Sequence, residues 1–141
     1  MTDTPPIRTV AMERDLPWPA EKVWRALTQP HLLAEWLMRT DFAATLGHQF
    51  RFEGDWGGVD CTVLELDAPR SLAYSWDGMG LESTVTWTLT PTPTGTRLRL
   101  EQTGFKPDQD KAFFGAQYGW ANFLGQLETL LAGDAATEVP A

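Results

Sequence analysis

One cysteine, Cys61, stands in 141 residues. An internal disulfide framework and a Cys-cluster zinc site are therefore excluded, and the thiol content fits a reducing compartment. Histidine is almost as scarce, with only His31 and His48, and the His-Glu-x-x-His metal motif is absent. Basic charge is in deficit: 11 Lys and Arg face 19 Asp and Glu, a net charge of −8. Nucleic-acid binding needs a basic footprint, so no nucleic-acid partner is expected. The nearest thing to a basic cluster is the alternating pair Arg97 and Arg99. No apolar run approaches the ~20 residues needed to span a bilayer, so membrane insertion is not expected. Residues Met1–Arg8 hold Asp3 and two prolines in place of the apolar core of a signal peptide. These absences point to a cytoplasmic protein.

What remains is rich in rings: 7 Trp, 7 Phe and 2 Tyr. The length suits one domain with a core of its own. Its expected bounds are residues 7–133, with 1–6 and 134–141 as flexible tails where Pro, Thr, Asp and Glu replace apolar periodicity. Ile7 to Asp15 alternates with period two and predicts a strand. Pro19 and Pro30 suit helix openings. Val23, Trp24 and Leu27 then mark one short helix, and Leu32, Leu33, Trp36 and Leu37 a second.

Five further strands are predicted in hairpin succession: Gly47–Glu53, Val59–Asp67, Ser71–Asp77, Leu81–Thr90 and Thr96–Gln102. Their alternation assigns His48, Phe50, Phe52, Leu72, Tyr74, Trp76, Ser83, Val85, Trp87, Leu89, Leu98 and Leu100 to one face. The last element is a long helix, about Asp108 to Ala132, with acidic residues at its start and Gly133 at its end. Phe113, Ala116, Trp120, Phe123, Leu124, Leu127, Leu130 and Leu131 recur along it at spacings of three and four. A one-faced sheet and a one-faced helix must cover each other. The expected fold class is α+β, with a curved antiparallel sheet wrapped around the C-terminal helix.

The ordered set of segments is similar to a known family. The stretch from Leu16 to Pro30, Trp36-Leu37, the glycine-led strand Gly47 to Phe52, Val63 to Leu72, Tyr74 to Trp76, Ser83 to Trp87, Gly95 to Leu100 and Gly119-Trp120 carry the likeness. Together they resemble the activator of Hsp-ninety ATPase homologue family of the START-like (SRPBCC, helix-grip, Bet v-like) superfamily. The resemblance implies a helix-grip fold with a cavity between sheet and C-terminal helix. It also implies a spread of functions: hydrophobic ligand or lipid binding, cyclase chemistry, and co-chaperone or stress-response roles.

The expected function is binding of an apolar small molecule in that cavity, with no cofactor, no metal and no covalent chemistry. Trp36, His48, Phe50, Phe52, Tyr74, Trp76, Trp87, Leu100, Tyr118 and Trp120 are the candidate cavity-lining residues. A chaperone partner is the second expectation, and a cyclase- or hydrolase-like enzyme using His48 with Tyr74 the third. The expected assembly is a monomer or homodimer. His48 is a candidate ligand anchor or general acid/base, though a strand-end histidine bonded to backbone is the simpler reading.

A hairpin turning at Asp55–Gly58 would set His48 across from Leu64 or Glu65, and Cys61 across from Arg51 or Phe52. That spacing is too long for a nucleophile–base pair. A triad of Ser75, His48 and an aspartate has no supporting spacing. Asp55 and Asp60 read as turn aspartates and not metal ligands. Gly78 to Ser83 mimics a dinucleotide loop but joins two strands. Gly115, Gly119 and Gly125 interrupt the long helix, each costing about 1 kcal/mol against alanine. Close packing of helix on sheet is the favoured reason, and empty space beside them the alternative.

Overall fold

The alternation builds a seven-stranded antiparallel sheet in the order β1-β7-β6-β5-β4-β3-β2. The computed structural model describes residues 8–54, 57–78 and 80–137, with side chains to residue 133. Strand β1 (Arg8–Leu16) leads to helices α1 (Ala20–Thr28) and α2 (Pro30–Trp36). Strands β2 (Arg39–Thr40), β3 (Gln49–Gly54), β4 (Gly57–Asp67), β5 (Ser71–Gly78), β6 (Leu81–Thr92) and β7 (Gly95–Phe105) follow, and α3 (Asp110–Thr137) closes the chain. The expected α+β helix-grip architecture is the one observed: a curved open sheet carrying a long C-terminal helix. Ile7 and the expected tail at 1–6 lie outside the described residues, as do residues 138–141.

Three expectations about the elements are corrected. Strand β2 was not foreseen, because two residues carry no period. Helix α3 does not end at Ala132, since the backbone stays helical through Gly133 to Thr137. The β3–β4 register also differs. Gly54 pairs with Gly57, leaving a two-residue connection, so Cys61 faces Phe50. His48 meets Val63, whose N–H donates to the His48 carbonyl (3.0 Å). A tighter turn than assumed moves the ladder by two positions in its pairing sum.

The inward row of the sheet is the core. Phe52, Leu72, Tyr74, Val85, Trp87, Leu98 and Leu100 are all sealed from solvent. The two short helices close one end. Trp36 donates its indole N–H to the Ala26 carbonyl at 2.8 Å, which supplies a partner to one of the carbonyls left open at the end of α1. Helix α3 lies across the same face, with Trp120, Leu124, Leu127 and Leu131 buried. The periodic stripe read from the sequence is thus the packed one.

Strand β7 is bent at Gly104. Arg8 pairs with Phe105 and Thr9 with Thr103, so Gly104 is an extra residue in the ladder with φ +127°. A bulge of this kind favours glycine. A Cβ there would lie 2.5 Å from the Glu82 carbonyl oxygen and 2.9 Å from Ser83 Cα. The variant Gly104→Ala is therefore expected to lose about 1–3 kcal/mol of stability, read as a lower midpoint in urea unfolding. An unchanged midpoint would contradict the strained bulge.

Candidate functional site

The aromatic residues of the inward face pack on one another. Phe50 meets Phe42, Phe52 and Tyr74 edge-on, with centroids 4.9, 5.4 and 5.3 Å apart. Trp36 meets Trp87 edge-on at 5.9 Å. These are the favoured geometries for ring pairs. Tyr74 is fully enclosed, and its hydroxyl oxygen accepts the Trp87 indole N–H at 2.9 Å. Burial pushes the Tyr74 phenol well above its ordinary pKa. The phenol therefore stays protonated.

The space between the layers lies further along, toward the first turns of α3. Its helix wall is Ala112, Gly115, Ala116 and Gly119. These four occupy one stripe at i, i+3, i+4 and i+7, so small residues stand where large ones would touch the sheet. A Cβ added at Gly115 or Gly119 would meet nothing within 4 Å. The expectation of close packing at these glycines is thus overturned: they face open space. Gly125 also faces space, but on another side, in a groove with Glu35, Gln126 and Thr129.

The sheet wall of the cavity is Trp76, Leu81 and Gln102, and Trp120 and Phe123 close one end. The volume is about 430 Å³, within the ~300–1,000 Å³ of small-molecule sites. Trp120 sets the spacing of the layers. Its ring contacts Trp76 at 5.2 Å, Trp87 at 5.6 Å and Phe123 at 5.8 Å. Its indole N–H donates to Gln102 Oε1 at 2.6 Å. Gln102 Nε2 donates to Ser83 Oγ (2.9 Å), which donates to the Trp76 carbonyl (2.8 Å). A buried polar relay therefore ties helix, β7, β6 and β5 together.

Of the ten residues expected to line the cavity, Trp76 and Trp120 border this space. Trp36, Phe50, Phe52, Tyr74, Trp87 and Leu100 are buried in the core and do not line it. Tyr118 is corrected outright: it is 78% exposed, on the outer side of α3. His48 is half-buried, stacks on Phe50 at 6.1 Å and places Nε2 3.2 Å from the Asp41 carbonyl oxygen. The bonding partners of His48 and Tyr74 are separate, so the two do not form a polar pair. Leu81, Gln102 and Phe123 are not among the expected lining residues, whereas empty space beside Gly115 and Gly119 is the alternative the sequence offers. The run Ala112, Gly115, Ala116, Gly119 was the available signal, together with the phase of β7, which turns Gln102 inward after Leu98 and Leu100.

Other sequence candidates are placed elsewhere. Ser75 Oγ accepts the Thr62 N–H at 2.8 Å and has no histidine partner in this bond. Asp60 pairs with Arg51 at 2.6 Å, and Asp55 lies outside the described residues. Among the described residues no group of three or more His, Cys, Asp or Glu could hold a metal ion. Burial, then the nearby Asp77 and Asp60, push the Cys61 thiol far up. The thiolate is the reactive form, so Cys61 in the native protein is expected to resist Ellman's reagent at pH 8 and to react fully in guanidinium. Rapid native labelling would contradict its burial.

Fold and site together define a helix-grip α+β domain with an apolar space between its layers. Residues 17–132 match the family described as activator of Hsp90 ATPase homolog 1-like protein, and the chain belongs to that family. Protein MLL2253 from Mesorhizobium loti is similar over 89% of this chain and 97% of its own, at 52% identity and a TM-score of 0.87. DynU16, a protein of the dynemicin biosynthetic locus, shares 28% identity over 88% of this chain and 47% of its own, with a TM-score of 0.80. CalU16 from Micromonospora echinospora shares 25% over 91% and 76%, with a TM-score of 0.80. No curated protein matches the chain. Among the described residues no helix is long and apolar enough to cross a membrane.

Proposed function

We propose that this chain holds an apolar small molecule between its sheet and the first half of α3, by burial and hydrogen bonding and without covalent chemistry. The observation that carries this reading is the pair Gly115 and Gly119. Each glycine costs the helix about 1 kcal/mol against alanine, and neither offsets that cost by close contact. A stretch of helix kept small beside a Trp- and Phe-lined space is what a guest requires. Among the described residues the wall contributes no nucleophile, acid or base, since its polar side chains are Gln102 and the indoles of Trp76 and Trp120. That DynU16 comes from a biosynthetic locus is in keeping with a small-molecule occupant.

The test uses N-phenyl-1-naphthylamine, a neutral dye that brightens in apolar sites. Wild-type protein is expected to bind it saturably at one site. Gly119→Leu fills the cavity and is expected to weaken dye binding at least tenfold while raising the melting temperature, as the helix gains a better former. Gly125→Leu supplies the same helical gain outside the cavity and is expected to leave dye binding unchanged. Equal dye binding in all three proteins, or none in the wild type, would overturn the reading.

A further inference from the structure

We infer that Gln102 selects the guest: a neutral, compact ring compound carrying a carbonyl oxygen. This deepens the reading above and rests on it. Strand β7 sends Thr96, Leu98, Leu100 and Gln102 inward, and Gln102, 1% exposed, is the one that reaches the cavity.

The orientation of its amide is fixed by chemistry. An indole N–H only donates, so the atom 2.6 Å from Trp120 Nε1 is the carbonyl oxygen. The amide nitrogen then faces Ser83 Oγ, and the serine proton goes to the Trp76 carbonyl. This relay uses one of the two amide N–H groups. The second is left for an acceptor, and a carbonyl on the guest is the acceptor that fits a single N–H at an apolar wall.

The remaining wall sets the rest of the class. Among the described residues no charged side chain lines the cavity, so an ionised guest would be buried without a partner, which is strongly disfavoured. Trp76, Trp120 and Phe123 offer ring surfaces to a planar body. About 430 Å³ suits a compact ring system and is too small for a two-chain lipid.

Fluorenone and fluorene differ in little besides the carbonyl, and fluorene-9-carboxylate adds a charge. Equilibrium dialysis of the three against wild-type protein is expected to rank fluorenone tighter than fluorene by about three- to tenfold, the effect of one net hydrogen bond. The carboxylate is expected to bind weakest. In Gln102→Leu the preference for fluorenone over fluorene is expected to fall to about one. Gln102→Glu keeps an acceptor for Trp120 and is expected to reverse the preference, which serves if the leucine variant folds poorly. Equal wild-type affinities for fluorenone and fluorene, or a preference that survives both substitutions, would overturn the role of Gln102 while dye binding upholds the cavity. Loss of wild-type dye binding would overturn both.

Discussion

The distance between helix and sheet is set at one residue. Trp120 rests its ring on Trp76 and Trp87 and hydrogen-bonds through its nitrogen to Gln102. A bulky, rigid ring at that point acts as a spacer. On its C-terminal side Leu124, Leu127 and Leu131 close the gap by direct burial. On its N-terminal side the small stripe is too short to do so. The cavity follows from this one change in side-chain size along α3, and each large ring near it owes its neighbours to the same spacing.

The relay running from Trp120 through Gln102 and Ser83 to the Trp76 backbone has a structural role whatever the guest. Each buried polar atom in it has a hydrogen-bond partner, with one Gln102 N–H to spare, so the inward polar positions on β6 and β7 are tolerated. The relay also orients Gln102 by exclusion, because the donor-only indole dictates which end of the amide it meets. The bulge at Gly104 sits two residues further on, where β7 turns past the Ser83 backbone.

Much of the fold was legible in the chain. Alternation over Ser71–Asp77 and Leu81–Thr90 assigns Leu72, Tyr74, Trp76, Ser83, Val85, Trp87 and Leu89 inward, and all are buried, because a sheet wet on one side separates its faces sharply. The stripe Trp120, Leu124, Leu127 and Leu131 was readable for the same reason in helical period. The β3–β4 register was not, since it depends on the length of a turn. The site was harder. Glycine in a helix signals either contact or vacancy, and the partner that decides between them comes from a distant strand. Tyr118 was misplaced because an aromatic beside Trp120 invites an inward assignment, although two positions along a helix turn the side chain away. Gln102 was overlooked because a polar residue in an apolar row reads as the end of the row.

The two ends of α3 are held by different forces. The C-terminal half is embedded by leucines, whereas the first turns rest on one ring contact, Phe113 on Phe105 at 5.6 Å, and on polar links: Arg8 to Asp110 at 2.6 Å, with its guanidinium 4.5 Å over the Phe113 ring, and Gln109 to the Gly80 carbonyl at 3.1 Å. Exposed links of this kind contribute about 0–1 kcal/mol each and weaken in salt. The domain therefore has a gradient of rigidity along one helix. Local opening is expected to begin at the front turns, while the leucine-anchored half stays docked.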